Sequence, residues 1–264
     1  MVSATGGSRR EPARAVEVVR TEVLTPHLRR VVLGGPELAG FHPGSPASYL
    51  KLYLPPAPGE PLVLPTYGAR GPEFPEGAVR PLVRTYTPRW FDAAAGELAI
   101  DFVLHGHGSA AAWAEAARPG DRAGVSGPGS GYDPDPAAPW FVIAGDESAL
   151  PAMATIVEAL PDAATAHVVA EVPSPLDRID LVSPGRLITT WLERDGQPSG
   201  QLLEAELRAM HVPVGPGCFW VAGESAVVRR IRDHLVEDRG VPKDRYVVRA
   251  YWKAEPPEAA PVSR

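Results

Sequence analysis

The stretch "WFVIAGDESALPAMATIVEAL" (residues 140–160) changes its hydrophobic period midway. Trp140 to Gly145 is an unbroken apolar run, as expected of a strand buried on both faces. Leu150, Met153, Ile156, Val157 and Leu160 then recur at helical spacing. The same alternation continues downstream. "AHVVAEV" (166–172) reads as a strand and "GQLLEAELRAM" (200–210) as a helix with Leu203, Leu207 and Met210 on one side. "CFWVAG" (218–223) is a strand, a helix follows through Val227, Val228, Ile231 and Leu235 to Gly240, and "RYVVRAYW" (245–252) is the last strand. Alternating strand and helix predicts a parallel sheet with helices on its faces.

Upstream the pattern is different. "RAVEVVRTEVL" (14–24), "RRVVLGG" (29–35), "SYLKLYLPP" (48–56), "PLVRTYTPRW" (81–90), "GELAIDFVLHG" (96–106) and "DRAGVSGPG" (121–129) are short strands punctuated by Gly and Pro. Such a series predicts an antiparallel barrel or sandwich. Residues 55–81 form a Pro/Gly-rich insert, long enough to be functional or mobile. The change of period falls in "GSGYDPDPAAP" (129–139). Two domains are therefore expected, an antiparallel β unit over 14–134 and a parallel-sheet α/β unit over 135–254, with flexible tails at 1–13 and 255–264.

The 264 residues carry a net charge of −6 without a block of like charge, which argues against nucleic acid or an anionic membrane as partner. Any anionic ligand needs a locally basic site. The N-terminus lacks an apolar signal core and no long uncharged apolar run occurs, so no membrane span is expected and a cytoplasmic protein is the default. A single cysteine, Cys218, excludes an internal disulfide and a cysteine-held iron–sulfur cluster.

"FVIAGDESALPAM" and "FWVAGESAVVRRI" echo each other: strand, Ala-Gly, acid, Ser-Ala, helix. Each sets a glycine turn and a helix start at the carboxyl end of a strand, where open α/β sheets bind ligands and free N–H groups attract phosphate. A second reading is open, in which Ser148 and Ser225 simply cap their helices. The full dinucleotide fingerprint is missing. Glu171, ending the second parallel strand, is placed to bond a ribose hydroxyl, and Arg178 nearby to accept a 2′-phosphate.

In "RTYTPR" (84–89), alternation sets Arg84 and Tyr86 on one face and Thr87 at the strand's end. A guanidinium suits a pyrophosphate, and a phenol can lie against a flat heterocycle. The alternative is an outward-facing polar strand. The following "DFVLHGHGSAAAW" (101–113) aligns Asp101, Val103 and His105 on one face, turns at glycine and starts a helix at Ser109, a further phosphate seat. Trp113 also reads as plain core. His105 and His107 lack further metal ligands at suitable spacing.

Taken in order, "KLYLP", "RTYTPR", "IDFVLHG", "AWAEAARPGDRAGVSGPG", "WFVIAGDESALPA", "FWVAGESAVVRRIRDHL" and "RAYWK" resemble the siderophore-interacting protein family. These are FAD-dependent ferric-siderophore reductases of the ferredoxin-reductase-like superfamily. The likeness runs from about Arg14 to Lys253. It implies a FAD-binding β-barrel followed by an NAD(P)H-binding α/β domain. It assigns Arg84, Thr85, Tyr86, Thr87, Asp101, Val103, His105, Gly108, Ser109, Ala110, Trp113, Tyr251 and Trp252 to FAD. Gly145, Asp146, Glu147, Ala222, Gly223 and Glu224 fall on the nicotinamide-nucleotide loops. Where the family has Gly-Pro-Ala-Ser, this chain has Gly108-Ser109-Ala110-Ala111.

The activity implied is transfer of electrons from NADH or NADPH through flavin to siderophore-bound Fe(III), releasing Fe(II). Ferric siderophores are often anionic, so Lys51, Arg249 and Lys253 are the expected substrate contacts, the last two sharing one side of the final strand. A monomer is expected. Rival readings are a flavin or electron-transfer reductase of the same superfamily, and a siderophore- or flavin-binding module without turnover.

Overall fold

The computed structural model describes residues 12–68, 71–106 and 108–254. His107 and the expected tails, except residues 12 and 13, lie outside these. The chain divides into two compact units, Met1–Asp133 with Ala154–Ile156, and Pro134–Met153 with Val157–Arg264.

The first unit holds β1 (Arg14–Thr25), β2 (Leu28–Gly34), β3 (Leu50–Leu54), β4 (Thr66–Gly68), β5 (Gly71–Glu73), β6 (Leu82–Tyr86), β7 (Pro88–Asp92), β8 (Glu97–Val103), α1 (Ser109–Ala116) and β9 (Arg122–Ser126). Seven strands form one sheet in the order β6-β3-β9-β1-β2-β8-β7, paired antiparallel throughout. Its two edges, β6 and β7, are separated in the chain by Thr87 alone. The sheet therefore curls until its edges meet at that residue. The result is barrel-like, but no ladder joins the edges. Within "PLVRTYTPRW" the first strand ends at Tyr86, close to the expected end at Thr87, and Pro88 opens a second strand on the other edge, a position where the absent N–H costs the sheet nothing. The Pro/Gly insert carries the β4–β5 hairpin.

Inside the curl lie Val31, Leu33, Leu50, Leu52, Leu98, Ile100 and Phe102, with Ala110 and Ala114 of α1 packed on them. β1 alternates along its first half, whereas β2, β8 and β9 carry consecutive buried residues; each large side chain removed from water contributes about 1.5–3 kcal/mol.

The second unit holds β10 (Trp140–Asp146), α2 (Leu150–Glu158), β11 (Thr165–Val172), β12 (Arg186–Glu193), α3 (Gln201–Ala209), β13 (Cys218–Glu224), α4 (Ser225–Asp233) and β14 (Tyr246–Trp252). Its sheet, β12-β11-β10-β13-β14, is wholly parallel. β10 lies in the middle and every residue in it is buried. Val142, Ala144, Val169, Phe219 and Val221 face Leu203, Leu207, Val227, Val228 and Ile231 of α3 and α4. All five strands point their carboxyl ends to one edge. Among the described residues no helix is long and apolar enough to cross a membrane.

Candidate functional site

The "RTYTPR" motif straddles the seam of the first sheet. Arg84 is exposed, donates from Nη1 to the Val83 carbonyl at 2.9 Å, and meets no carboxylate. Tyr86 is half-buried. Its ring lies 4.4 Å from Phe102, tilted 44°, and Phe102 lies 5.8 Å from Trp113, so strand, core and α1 are joined by three rings. Burial pushes the Tyr86 phenol up to about 12, against the Arg84 charge, so it stays protonated and can donate. Thr85 faces the other way. Its Oγ1 accepts from Lys51 Nζ at 2.6 Å across the β3–β6 ladder, which groups Thr85 with an expected substrate contact rather than with Arg84 and Tyr86.

Asp101 is not turned towards open space. Both its oxygens accept from Arg30, at 2.7 and 2.9 Å, across the β2–β8 pair, with only 2% of the Asp101 side chain exposed. The expected cofactor contact there is a buried ion pair that fixes the strand leading to α1. Val103 is half-buried and His105 exposed beyond it. The turn opens on a pocket of about 230 Å³ lined by Gly106, Gly108, Ser109, Ala112 and Glu115 among others. Gly108 takes φ +89°, and a Cβ there would come within 3.2 Å of the His105 ring.

Gly108 gives α1 no side-chain cap, and the first turn, Ser109-Ala110-Ala111, holds no acid. The other helix starts differ. Glu224 accepts from the N–H groups of Ala226 and Val227 at 2.6 and 3.0 Å at the start of α4. Glu171 accepts from Gly200 and Leu203 at 2.6 and 2.8 Å at the start of α3. Asp146 accepts from Ser148 N at 3.0 Å in the turn leading to α2. At the start of α1 no side chain caps the helix, in contrast to α3 and α4; Glu115 lines the adjoining pocket one to two turns further on. The α1 start, with Arg84 unpaired, is what a pyrophosphate requires. The residues present therefore fit FAD.

These caps revise the reading of the second unit. Asp146 and Glu224 cap, in place of Ser148 and Ser225, and the α4 donors expected to meet phosphate are already satisfied. Burial pushes the Glu224 carboxyl up, but bonds from Val227, Ser225, Ala254 and Ala226 outweigh it and hold it below its ordinary value. Asp146 joins three strand ends: Oδ2 accepts from Glu224 N at 3.1 Å and from Trp252 Nε1 at 2.8 Å, while Oδ1 takes the Ser148 N–H and hydroxyl. It is 2% exposed. Gly223 makes this possible, because a Cβ there would meet Asp146 Oδ2 at 2.7 Å. Gly145 likewise leaves no room for a Cβ beside the Ala222 carbonyl.

Glu171 is wholly buried, so it is a helix cap and not a ribose ligand. Arg194, which the sequence reading passed over, bridges it at 3.4 Å to Glu147 at 2.6 and 2.7 Å. Arg178 pairs with Glu193. On β14, Tyr251 packs edge-on to Trp220 at 6.1 Å, and Trp252 remains 39% exposed. The register slips between Gly223 and Glu224, pairing them with Ala250 and Trp252. That bulge at Tyr251 breaks the alternation expected to align Arg249 with Lys253. Arg249 is half-buried and Lys253 exposed.

A curled antiparallel sheet with an uncapped helix start, followed by a parallel sheet with its first strand in the middle, defines a ferredoxin-reductase-like architecture. A ferredoxin NADP+ reductase from Neisseria gonorrhoeae shares it with a TM-score of 0.62 at 16% identity, covering 92% of this chain and all of that one. Residues 17–132 match the siderophore-interacting FAD-binding domain and residues 138–255 the siderophore-interacting protein model. The chain belongs to the siderophore-interacting protein family. It is 34% identical over 246 residues to the ferric vibriobactin reductase ViuB of Vibrio cholerae, covering 91% of this chain and 89% of that one. The NADPH-dependent ferric-chelate reductase of Escherichia coli is 34% identical over 246 residues, with 92% and 93% covered. A siderophore utilization protein from T. fusca superposes with a TM-score of 0.83 at 36% identity, covering 92% and 95%.

Proposed function

We propose that this chain is a cytoplasmic, monomeric reductase that uses FAD and NADH or NADPH to reduce siderophore-bound Fe(III). The observation that carries the reading is full-length likeness to proteins named as ferric reductases, joined to an α1 start without a side-chain cap and an Arg84 unclaimed by any carboxylate. Bound FAD supplies the chemistry, taking a hydride from the nicotinamide and giving electrons singly to iron.

The chain's own residues hold and orient. Arg84 and the first N–H groups of α1 meet the pyrophosphate, and neutral Tyr86 offers ring and hydroxyl to the flavin. Lys51, Arg249 and Lys253 draw an anionic ferric siderophore to an otherwise acidic protein. No protein ligand to iron is needed. Siderophores bind iron through hard oxygen donors, and reduction to the softer, less charged Fe(II) weakens that hold.

The test is reconstitution. Purified protein titrated with FAD should take up one equivalent, bleach anaerobically with NADH or NADPH, and recover its colour on addition of a ferric siderophore. A yellow protein that neither nucleotide bleaches would instead be a binding module. Bleaching reversed by free flavin or a protein acceptor, but not by ferric siderophores, would mark an electron-transfer reductase. Cell fractionation and light scattering test the location and the monomer.

A further inference from the structure

We infer that the electron donor is NADH, because both guanidiniums described at the carboxyl ends of β11 and β12, Arg178 and Arg194, are already held by carboxylates that a 2′-phosphate would have to displace. The inference rests on the reductase reading and adds to it the choice of nucleotide.

In open α/β sheets the adenosine ribose lies against the end of the second strand, here β11, where an acid bonds a 2′-hydroxyl or an arginine takes a 2′-phosphate. Glu171, the acid expected there, is buried on α3 and contacts no ligand. The choice therefore falls to the groups around it. Arg194 is gripped by Glu147 at 2.6 and 2.7 Å and faces Glu171 at 3.4 Å, with only 11% of its side chain exposed. Moving it to a phosphate would strand two carboxylates, one of them wholly buried, and that is costly. Arg178 is more exposed, yet its guanidinium is bidentate on a single oxygen of Glu193.

The remaining charges at this corner are acidic. Asp177 is buried with the Ser174 hydroxyl bonded to it, and Asp180 and Asp195 are exposed. A 2′-phosphate, with close to two negative charges, would face these carboxylates and compete with Glu193 for Arg178. A 2′-hydroxyl would instead find acceptors. Lys253, an exposed cation, lies just beyond the end of β14, three strand spacings or about 14 Å from β11. The Escherichia coli relative is named as NADPH-dependent, so the inference separates this chain from it.

The experiment is anaerobic stopped-flow bleaching of the flavin in the reconstituted full chain, with NADH and NADPH compared as kcat/KM. NADH should be favoured by about tenfold or more at low ionic strength, and the ratio should shrink with added salt, since Arg178 and Glu193 are partly exposed. Glu193→Gln leaves Arg178 without its counter-ion and should move the NADPH to NADH ratio upward by about fivefold or more. Equal use or a preference for NADPH in the unaltered protein would overturn the inference. A ratio within about twofold of the parent in the Glu193→Gln protein would overturn the assignment to Arg178. Bleaching by neither nucleotide would remove the reductase reading itself, and this inference with it.

Discussion

Replacing Asp146 with Asn should abolish a pH dependence of stability amounting to about 2 kcal/mol between about pH 4.5 and 8. Burial, and then the Glu147 charge, push the Asp146 carboxyl from 3.8 to about 6, while bonds from Ser148 and Trp252 pull it partly back. The folded pKa lies above the unfolded one, so the unfolded chain gives up its proton first. Stability is therefore greatest below the unfolded value and is lost as pH rises through 6. A rise of roughly two units corresponds to about 3 kcal/mol, of which about 1 is already lost at pH 4.5. Asn keeps an acceptor for Glu224 N and Trp252 Nε1 but turns an amide towards Ser148 N, costing about 1 kcal/mol. Urea unfolding of both proteins at several pH values reads the difference directly. The Asn protein should be the weaker at pH 4.5 and gain about 2 kcal/mol on its parent by pH 8. A difference that stays constant with pH would mean that Asp146 titrates as an ordinary carboxylate and does not hold the strand ends as described.

Arg84→Ala should weaken FAD binding roughly 10- to 100-fold in apoprotein titrations, the worth of a charge-assisted bond, with Lys restoring part of it; unaltered affinity would remove Arg84 from the pyrophosphate. Glu171→Ala leaves two buried N–H groups of α3 unpaired and Arg194 half-neutralised, and should cost about 3 kcal/mol or more in urea unfolding. A loss under about 1 kcal/mol would contradict the cap. Lys253→Ala should raise KM for an anionic ferric siderophore while flavin content and ferricyanide reduction hold, and unchanged siderophore kinetics would exclude it from the substrate site.

The two-part fold was legible because burial writes its period into the chain. β10 is buried along its whole length and reads as a continuous apolar run, while the first sheet was legible from short strands set off by Gly and Pro, with clear alternation in the first half of β1. β12 was harder. It is an edge strand whose residues are almost all partly exposed, so "RLITTWLE" mixes Thr, Trp and Ile without a clear apolar face. The end of β6 was legible from Pro88, but that a new strand starts there on the opposite edge was not, because pairing is non-local. In the site, Arg84 and the α1 start were visible because their chemistry is local: a cation on a strand, a glycine before a helix. Asp101, Glu171 and Arg194 were not, since their partners lie far along the chain, as with Arg30 for Asp101 and Gly200 for Glu171. Only the register of β2 on β8 reveals Arg30, and nothing local in "AEVPSP" announces that its glutamate caps a distant helix. Glu224 is a subtler case. It caps one position ahead of the serine because a longer carboxylate, held in extended backbone, reaches the N–H groups of Ala226 and Val227.

The most direct test is stoichiometric. The FAD-loaded protein, mixed without oxygen with one equivalent of reduced nicotinamide, excess ferric siderophore and a ferrous chelator, should yield about two trapped Fe(II) for each nucleotide oxidised, since a hydride carries two electrons and each ferric ion accepts one. Nucleotide oxidation and flavin bleaching with no Fe(II) trapped would contradict the account, because the electrons would then have another destination.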